Sequence, residues 1–206
     1  MSKLPRSFYT REDVLEITEE LLGKFLVTKY NGKITTGMIT EAEAYSGVID
    51  SASHAFKGRR TMRTEIMYAL GGTAYVYISY GIHHLFNVVT NEKDVPHAVL
   101  IRAIEPAEGI DLMLKRRKKK QPDYTLSSGP GSMSVAMGIK VSDTGTDLLG
   151  EKIWIEDRGI KIPQKKILRT IRIGVENSGK DAHLNYRYII ADSPWITRSS
   201  FNRIKE

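Results

Sequence analysis

The chain has 206 residues, 41% of them hydrophobic and 27% charged, which suits one ordinary globular domain of roughly 100–200 residues with its own core. It contains no cysteine, which excludes disulfides, thiol nucleophiles and thiolate metal sites. The formal net charge of +7 favours a polyanionic partner, because clustered Lys and Arg attract phosphate-bearing molecules.

The first predicted element is a helix near the N-terminus. Thr10 and Asp13 are spaced like a capping box, and apolar residues recur at helical spacing from Val14 to Leu22, where Gly23 ends the pattern. The N-terminal stretch carries no apolar run of signal-peptide length, and no segment approaches the ~18 apolar residues of a membrane span. We therefore expect a soluble, cytoplasmic protein without membrane contact.

Strand patterns dominate the middle of the chain. The segments KFLVTKY and KITTGMITEAEAY flank Asn31-Gly32, the strongest short hairpin signal. Two further strand candidates, TAYVYISYG and LFNVVTN, follow the turn at Gly71-Gly72, and HAVLIRAIEP is another apolar run. A mostly antiparallel sheet is therefore expected.

The rest of the chain predicts helices and then more strands. One helix is expected from near Glu105-Pro106 into KRRKKK, and SSGPGSMSVAMGI is typical of a tight turn that opens a short helix. The segments KIWIED, ILRTIRIGV and NYRYIIADSPWIT are predicted strands. Strands in runs, without a repeat or a convincing linker, predict an α+β fold with a single domain over residues 1–206.

The second strand of the hairpin concentrates acidic residues. Because side chains alternate along a strand, Glu41, Glu43 and Tyr45 project to one face. One interpretation is a solvated face with the carboxylates in salt bridges. The other is a carboxylate held beside an aromatic wall, ready to act as a general base.

The tyrosine strand also has two interpretations. Tyr75 and Tyr77 face one way and Tyr80 faces the other, in a pattern of good strand formers that suits a sheet face or core. Tyrosine rings are also platforms on which nucleobases stack. In a basic chain, this pattern supports a nucleic-acid hypothesis.

Basic residues form a run and two clusters. Six consecutive cations span Lys115 to Lys120, with further cations at Arg59, Arg60, Arg63, Lys165, Lys166, Arg169 and Arg172. Such a run is commonly a solvated helix end, and the alternative is contact with phosphates. Arg59 and Arg63 are our candidates for DNA contact.

The sequence carries no recognisable metal or nucleotide-cofactor motif. Its five histidines include no HExxH pair, and the segment Gly129-Pro130-Gly131 lacks the Lys-Ser/Thr of a phosphate loop. We expect neither a metal nor a cofactor.

Six sequence blocks, taken together, carry a family resemblance. They are TEAEAYSGVIDSASHA, MYALGGTAYVYISYGIHHLFNVV, VLIRAIEP, SSGPGSMSVAMGI, RIGV and DSPWIT. In this order and spacing they resemble the alkyladenine (3-methylpurine) DNA glycosylase family, over about residues 8–198. The resemblance implies a monofunctional enzyme that cleaves the N-glycosidic bond of damaged purines, on a compact mixed α/β fold with a curved, open-barrel-like antiparallel sheet and flanking helices.

The resemblance also implies roles for individual residues. Glu43 matches the family's general base, Arg102 matches the arginine that helps to hold the attacking water, and Ile173 matches a position whose backbone carbonyl shares that task. The positions that match the base pocket are Tyr45, His54 and Tyr77 for its walls and hydrogen-bonding edge, and Asn87 for the residue that screens purine substituents. Tyr80 matches the residue that wedges into the duplex, with Ile82 beside it.

The implied partner is double-stranded DNA containing damaged purines, bound by a monomer that is nucleoid-associated in a prokaryote or nuclear in a eukaryote. A non-catalytic RNA or single-strand binder is the alternative, although it has no use for Glu43. Glu41 and Glu43 on one strand would not bracket a sugar as a glycoside hydrolase requires. A lyase activity through a lysine amine stays open.

Overall fold

The computed structural model describes residues 2–202, whose strands form one curled antiparallel sheet of nine strands. The strands are β1 (Ser2–Lys3), β2 (Phe25–Tyr30), β3 (Lys33–Tyr45), β4 (Thr73–Ser79), β5 (His83–Thr90), β6 (His97–Glu108), β7 (Ile153–Asp157), β8 (Ile167–Thr170) and β9 (Arg187–Ile190). The α-helices are α1 (Arg6–Tyr9), α2 (Val14–Leu21), α3 (Ile110–Arg117) and α4 (Pro130–Met137). The predicted α+β class with a curved antiparallel sheet is confirmed.

Strand β3 organises the sheet. The strand order is β1-β7-β2-β3-β6-β5-β4, and β9 pairs with both β3 and β8. β3 is 13 residues long, so one edge pairs first with β2 and later with β9, while β6 follows its other edge. The predicted hairpin around Asn31-Gly32 is confirmed by the pairing of Tyr30 with Lys33.

The acidic part of β3 lies at an irregularity in the sheet. Its register against β6 shifts on both sides of Glu41, where Glu41 pairs with Ala103 and the next residue, Ala42, pairs with Ile101. A bulge of this kind bends a strand and re-aims its side chains. The carboxylates of β3 therefore lie where the sheet curls.

Two apolar clusters cover different parts of the sheet. The larger one joins α2 and α4 to the sheet through fully buried side chains such as Ile17, Leu21 and Met137. The smaller one contains Tyr75 of β4 and packs the segment between β3 and β4 against the sheet; its members are Ala55, Met67, Tyr68, Tyr75, Val89 and Ala98. This second cluster fixes the loop that carries His54. Across residues 2–202, no helix has the length and apolarity that a bilayer crossing requires.

The helix predicted from Glu105-Pro106 begins later. β6 continues to Glu108, because Glu105 and Pro106 still pair with Met38 and Gly37 of β3. Gly109 then takes a left-handed conformation, φ 70°, with the Ile34 carbonyl only 2.3 Å from where a Cβ would lie. Only glycine fits that close turn, and α3 starts directly after it.

Two C-terminal strands are shorter than predicted. In ILRTIRIGV only β8 (Ile167–Thr170) is extended, and in NYRYIIADSPWIT only β9 (Arg187–Ile190) is. Left-handed residues interrupt both segments, Gly174 at φ 84° and Asp192 at φ 62°. The RIGV block is therefore a loop, and this loop borders the site described below.

Asp13, rather than Thr10, caps α2. Its carboxylate accepts the backbone N–H groups of Leu15 at 2.8 Å and Glu16 at 3.2 Å. The predicted capping box at Thr10 is wrong, because α1 occupies the preceding residues and Thr10 ends that helix.

Replacing Asp13 by Ala should lower the free energy of unfolding by about 1 kcal/mol, since two N–H groups of α2 lose their acceptor. Thr10→Ala is the matched control and should cost less, because the Thr10 side chain caps neither helix. Urea denaturation followed by circular dichroism measures both changes. An equal loss for the two variants would contradict this assignment.

Candidate functional site

A cluster of four buried charges lies at the bend of β3. Glu41 accepts from the Nε atoms of Arg102, at 2.8 Å, and Arg187, at 2.7 Å, and its second oxygen accepts from the Thr197 backbone N–H at 2.6 Å. Burial alone would raise the pKa of Glu41, but Arg102 and Arg187 hold that pKa below its ordinary value. Glu41 and Glu43 are both fully buried, so the solvated-face interpretation is wrong.

Glu43 is held from three directions. Its Oε1 accepts from the Ile173 backbone N–H at 2.9 Å and lies 3.2 Å from Nη1 of Arg102. Its Oε2 accepts from the Tyr45 hydroxyl at 2.9 Å. Burial and the Glu43 charge raise the pKa of Tyr45 well above its ordinary value, so this hydroxyl remains a donor. The RIGV loop thus contributes a donor to the carboxylate, which the sequence did not reveal.

Arg102 joins the two carboxylates. Its side chain is 5% exposed and contacts Glu41 through Nε and Glu43 through Nη1. Burial would lower the pKa of Arg102, but Glu43 and Glu41 outweigh burial and raise it, so the guanidinium stays charged. Two carboxylates and two guanidiniums balance in charge at this point.

Two adjoining cavities, of about 320 and 330 Å³, open beside this cluster. They share walls formed by Tyr45, Tyr77 and Tyr80. Arg102 and Ile173 line the first, which we call the inner cavity, and His54 and Asn87 line the second, which we call the tyrosine cavity. Glu43 has no exposed surface, but three of the groups that touch it (Tyr45, Arg102 and Ile173) line the inner cavity.

His54 forms part of an aromatic wall. Its Nδ1 lies 2.9 Å from the Tyr75 hydroxyl, and its ring meets Tyr77 edge to face with the centroids 4.7 Å apart. Nε2 lies 3.4 Å from Nη2 of Arg63, which can only donate, so the hydrogen bonds favour a proton on Nδ1. Burial, with help from Arg63 and Arg59, lowers the pKa of His54 to about 4. The ring is therefore neutral at physiological pH.

Asn87 is fixed at the back of the tyrosine cavity. It is 4% exposed, and its Nδ2 donates to the carbonyls of Tyr75 at 3.1 Å and Leu85 at 3.3 Å. Both contacts are to backbone atoms of the sheet, so the amide cannot turn away. Asn87 thus presents a fixed amide to the tyrosine cavity.

The turn between β4 and β5 projects two apolar side chains into solvent. Tyr80, which lines both cavities, is 89% exposed, and Ile82, two residues further along, is 72% exposed. Tyr80 has a left-handed backbone, φ 50°, and the turn is closed by the Ile82 N–H to the Ser79 carbonyl at 3.2 Å. His83, beside them, packs over Gly131 at the start of α4.

Some of the predicted basic residues are exposed beside the cavities, whereas others are paired or turned inward. Arg59 and Arg63 are exposed beside the tyrosine cavity, whereas Arg60 is paired with Glu65 and Asp94. Other cations are turned inward or paired: Arg116 donates to the Ala136 carbonyl, Arg117 to the Leu126 and Thr125 carbonyls, Lys119 pairs with Asp123 and Arg169 with Glu19. The run from Lys115 to Lys120 is therefore not one free phosphate-binding stripe.

Sequence reasoning missed two buried arginines. Arg187 completes the charge cluster, and Arg172 forms a bidentate pair with Asp50 behind the Tyr45 ring. The prediction that Arg172 belongs to a solvated or phosphate-binding cluster is wrong, because this side chain is 1% exposed. A signal for Arg187 existed: an arginine inside the apolar run YRYII needs a buried acid as its partner.

Within residues 2–202 no group of three or more His, Asp or Glu side chains is arranged to hold a metal ion.

Known proteins resemble this chain over nearly its whole length. The profile of the methylpurine-DNA glycosylase (MPG) family matches residues 7–194. A Chlamydia felis protein named "Putative 3-methyladenine DNA glycosylase" is 42% identical over 188 residues, covering 91% of this chain and 95% of its own. Proteins of the same name from Clostridium perfringens and Alkaliphilus oremlandii are each 41% identical, covering 95% of this chain and 99% of theirs.

Replacing Glu41 by Gln should lower the free energy of unfolding by about 3–5 kcal/mol at pH 7, because Arg102 and Arg187 lose the buried charge that they share. Since the pKa of Glu41 lies below its ordinary 4.5, this contribution is present above that pH and is lost as the pH falls further. The difference between parent and variant should therefore shrink from pH 7 to pH 3 in urea unfolding.

Glu65→Gln is the control for this measurement, since it breaks an ion pair with Arg60 at the surface. It should change stability far less, because water screens and solvates both partners. A Glu41 variant as stable as the Glu65 variant would show that the buried cluster does not support the fold.

Proposed function

Because the chain belongs to the methylpurine-DNA glycosylase family and is a DNA glycosylase, we propose that it extrudes alkylated or deaminated purines from duplex DNA and hydrolyses their N-glycosidic bond. The observation that carries the proposal is Glu43, an acid held by Arg102, Tyr45 and Ile173 directly behind an aromatic cavity. 3-Methyladenine, which the relatives' names specify, is one expected substrate.

The proposed chemistry needs one carboxylate and one water. Water attacks the anomeric carbon of the sugar, Glu43 accepts the proton, and the damaged base departs with the electrons of the glycosidic bond. Alkylation makes the base a better leaving group, so the negative charge of Glu43 chiefly has to stabilise an oxocarbenium-like sugar. Nη1 of Arg102 lies 3.2 Å from Oε1 of Glu43, so a positive charge stands beside the carboxylate that is proposed to act as the base.

Access to the carboxylate is through the inner cavity. Ile173 and Arg102 line it and touch Oε1 of Glu43, and the Tyr45 hydroxyl covers Oε2. A water on this wall needs only a shift of the Tyr45 hydroxyl to reach a lone pair of Oε2. Arg102 and the backbone of Ile173 are proposed to position it there.

The tyrosine cavity is proposed to hold the extruded base. Tyr45 and Tyr77 provide ring faces, and His54 provides a neutral hydrogen-bonding edge. Purines alkylated at N3 or N7 are cationic and are attracted to electron-rich rings by ~0.5–2 kcal/mol. Asn87, fixed by two backbone carbonyls, would screen purines by the substituents that they carry.

Extrusion is assigned to the exposed turn. An enzyme that acts on a base must take it out of the stack, at a cost of a few kcal/mol, and inserted apolar side chains stabilise the gap. Tyr80, at the mouth of the two cavities, and Ile82, two residues further along the same turn, are exposed apolar groups suited to this role, and Arg59 lines a neighbouring pocket with His54 and Arg63, where we propose that it contacts a phosphate. We propose that a monomer does this at the nucleoid, without a cofactor.

The alternatives lose support from the geometry. A single-strand or RNA binder would not need four buried charges behind its stacking platform, and a two-carboxylate glycosidase would need Glu41, whose oxygens are taken by Arg102, Arg187 and Thr197. Among the described residues, the linings of the two cavities include no lysine. This favours hydrolysis over a lyase reaction through a lysine amine.

Glu43→Gln should reduce single-turnover excision by at least ~10²-fold while lesion-duplex binding survives, because the amide keeps the shape but cannot take a proton from water. Glu176→Gln is the control: Glu176 accepts the Gly174 N–H on the RIGV side of the site and should be dispensable. A Glu43 variant that cleaves nearly as fast as the parent would exclude Glu43 as the base.

Tyr80→Ala should weaken binding to lesion-bearing duplexes, since nothing then fills the vacated stack. Its excision defect should be smaller for a lesion in a mismatch or an unstacked strand, where extrusion costs less. Single-turnover rates on paired and mismatched duplexes measure this difference. An equal loss on both substrates would show that Tyr80 is not the wedge.

A further inference from the structure

Of the described residues that line the tyrosine cavity, Arg63 is the one that carries a charge at physiological pH. Its guanidinium lies over the Tyr77 ring, 4.9 Å from the centroid, and Nη2 lies 3.4 Å from Nε2 of His54. The side chain lines the same 330 Å³ tyrosine cavity as Tyr77 and His54. Across residues 2–202 no carboxylate lies within 4.0 Å of it, so its charge faces the cavity unneutralised.

The backbone that carries Arg63 is held in place. Thr64 is 3% exposed, and its Oγ1 accepts the Thr61 N–H at 2.8 Å and donates to the Arg59 carbonyl at 3.1 Å. Tyr68 also donates to the Arg59 carbonyl, at 3.2 Å. The Cα of Arg63 is therefore anchored at the rim, while its exposed side chain keeps enough freedom to adjust to a bound base.

We propose that Arg63 is a specificity-determining residue, which favours neutral 6-oxopurines such as hypoxanthine over purines that are alkylated at N7. This inference rests on the proposed function, because it takes the tyrosine cavity as the site of the extruded base. The other residues of the wall are neutral: His54 is uncharged at physiological pH, and Tyr75 and Tyr77 keep their protons because burial raises the pKa of each. Arg63 alone brings a charge to this wall.

The chemistry of the two base classes determines which of them Arg63 favours. A 6-oxopurine with a free N7 presents two acceptors, N7 and O6, which suit the paired N–H groups of a guanidinium. Alkylation at N7 removes one acceptor and places a positive charge on the ring. Such a base meets repulsion from Arg63 and also competes with it for the face of Tyr77. The tyrosines attract a cationic base and Arg63 opposes it.

The test compares single-turnover excision of hypoxanthine and 7-methylguanine, each in the same duplex sequence and at the same salt concentration. We expect Arg63→Gln to lower the hypoxanthine-to-7-methylguanine rate ratio by about tenfold or more, the scale of one lost bidentate contact. Arg63→Lys keeps the charge but lacks the planar fork, so its ratio should lie between those of the parent and Arg63→Gln.

Arg59→Gln is the matched control, because it removes the same charge from the same loop without touching Tyr77. It should weaken binding to all duplexes and leave the rate ratio within about twofold. If Arg63→Gln also leaves the ratio within twofold, Arg63 is only a phosphate contact and the inference fails while the glycosylase proposal stands. If the parent protein releases 3-methyladenine but not hypoxanthine, the inference about Arg63 fails while the glycosylase proposal stands; if it releases none of the three bases, the proposed function fails.

Discussion

No other interaction shapes this molecule as much as the ion pairs that neutralise its buried carboxylates. Two carboxylates on β3 lie under the sheet without exposed surface, which is tolerable only because two arginines from β6 and β9 meet them there. The bulge in β3 turns these acids toward their partners, and β9 must close on the second half of β3 to bring Arg187 within reach. The bend of β3 and the position of Glu43 are therefore linked through the same ion pairs.

The site has a buried, hydrogen-bonded floor and an exposed rim. Glu43, Arg102 and Asn87 stand on strands, and each has hydrogen bonds or ion pairs that fix its orientation. The exposed cations and the β4–β5 turn lie around the mouth, where side chains have room to adjust to a nucleic acid. Chemistry demands fixed geometry, whereas DNA binding demands adaptation, and the fold supplies each from a different class of element.

Much of the fold was predictable because it depends on local patterns. Alternating residues and Asn31-Gly32 predict the first hairpin, and the acidic face of β3 is visible from its spacing. The predictions fail where tertiary contacts determine the structure. β6 runs past Pro106 because β3 pairs with it, and Thr10 ends α1 and does not cap α2. The burial of Glu41 depends on Arg102 and Arg187, which are 61 and 146 positions away, and the inward turn of Arg172 depends on Asp50, 122 positions away; no local pattern encodes such partners.

A comparison of the hairpin turns at Asn31-Gly32 and Tyr80-Gly81 shows that the exposed tyrosine strains the backbone of its turn. Their backbone φ angles coincide, 50° and 74° in each, but asparagine tolerates the left-handed region whereas a bulky aromatic residue is strained there. An asparagine at position 80 would relieve that strain and lose the ring. Selection for heat resistance alone would therefore favour asparagine or glycine at this position, so the exposed ring of Tyr80 comes at a cost in the stability of the turn.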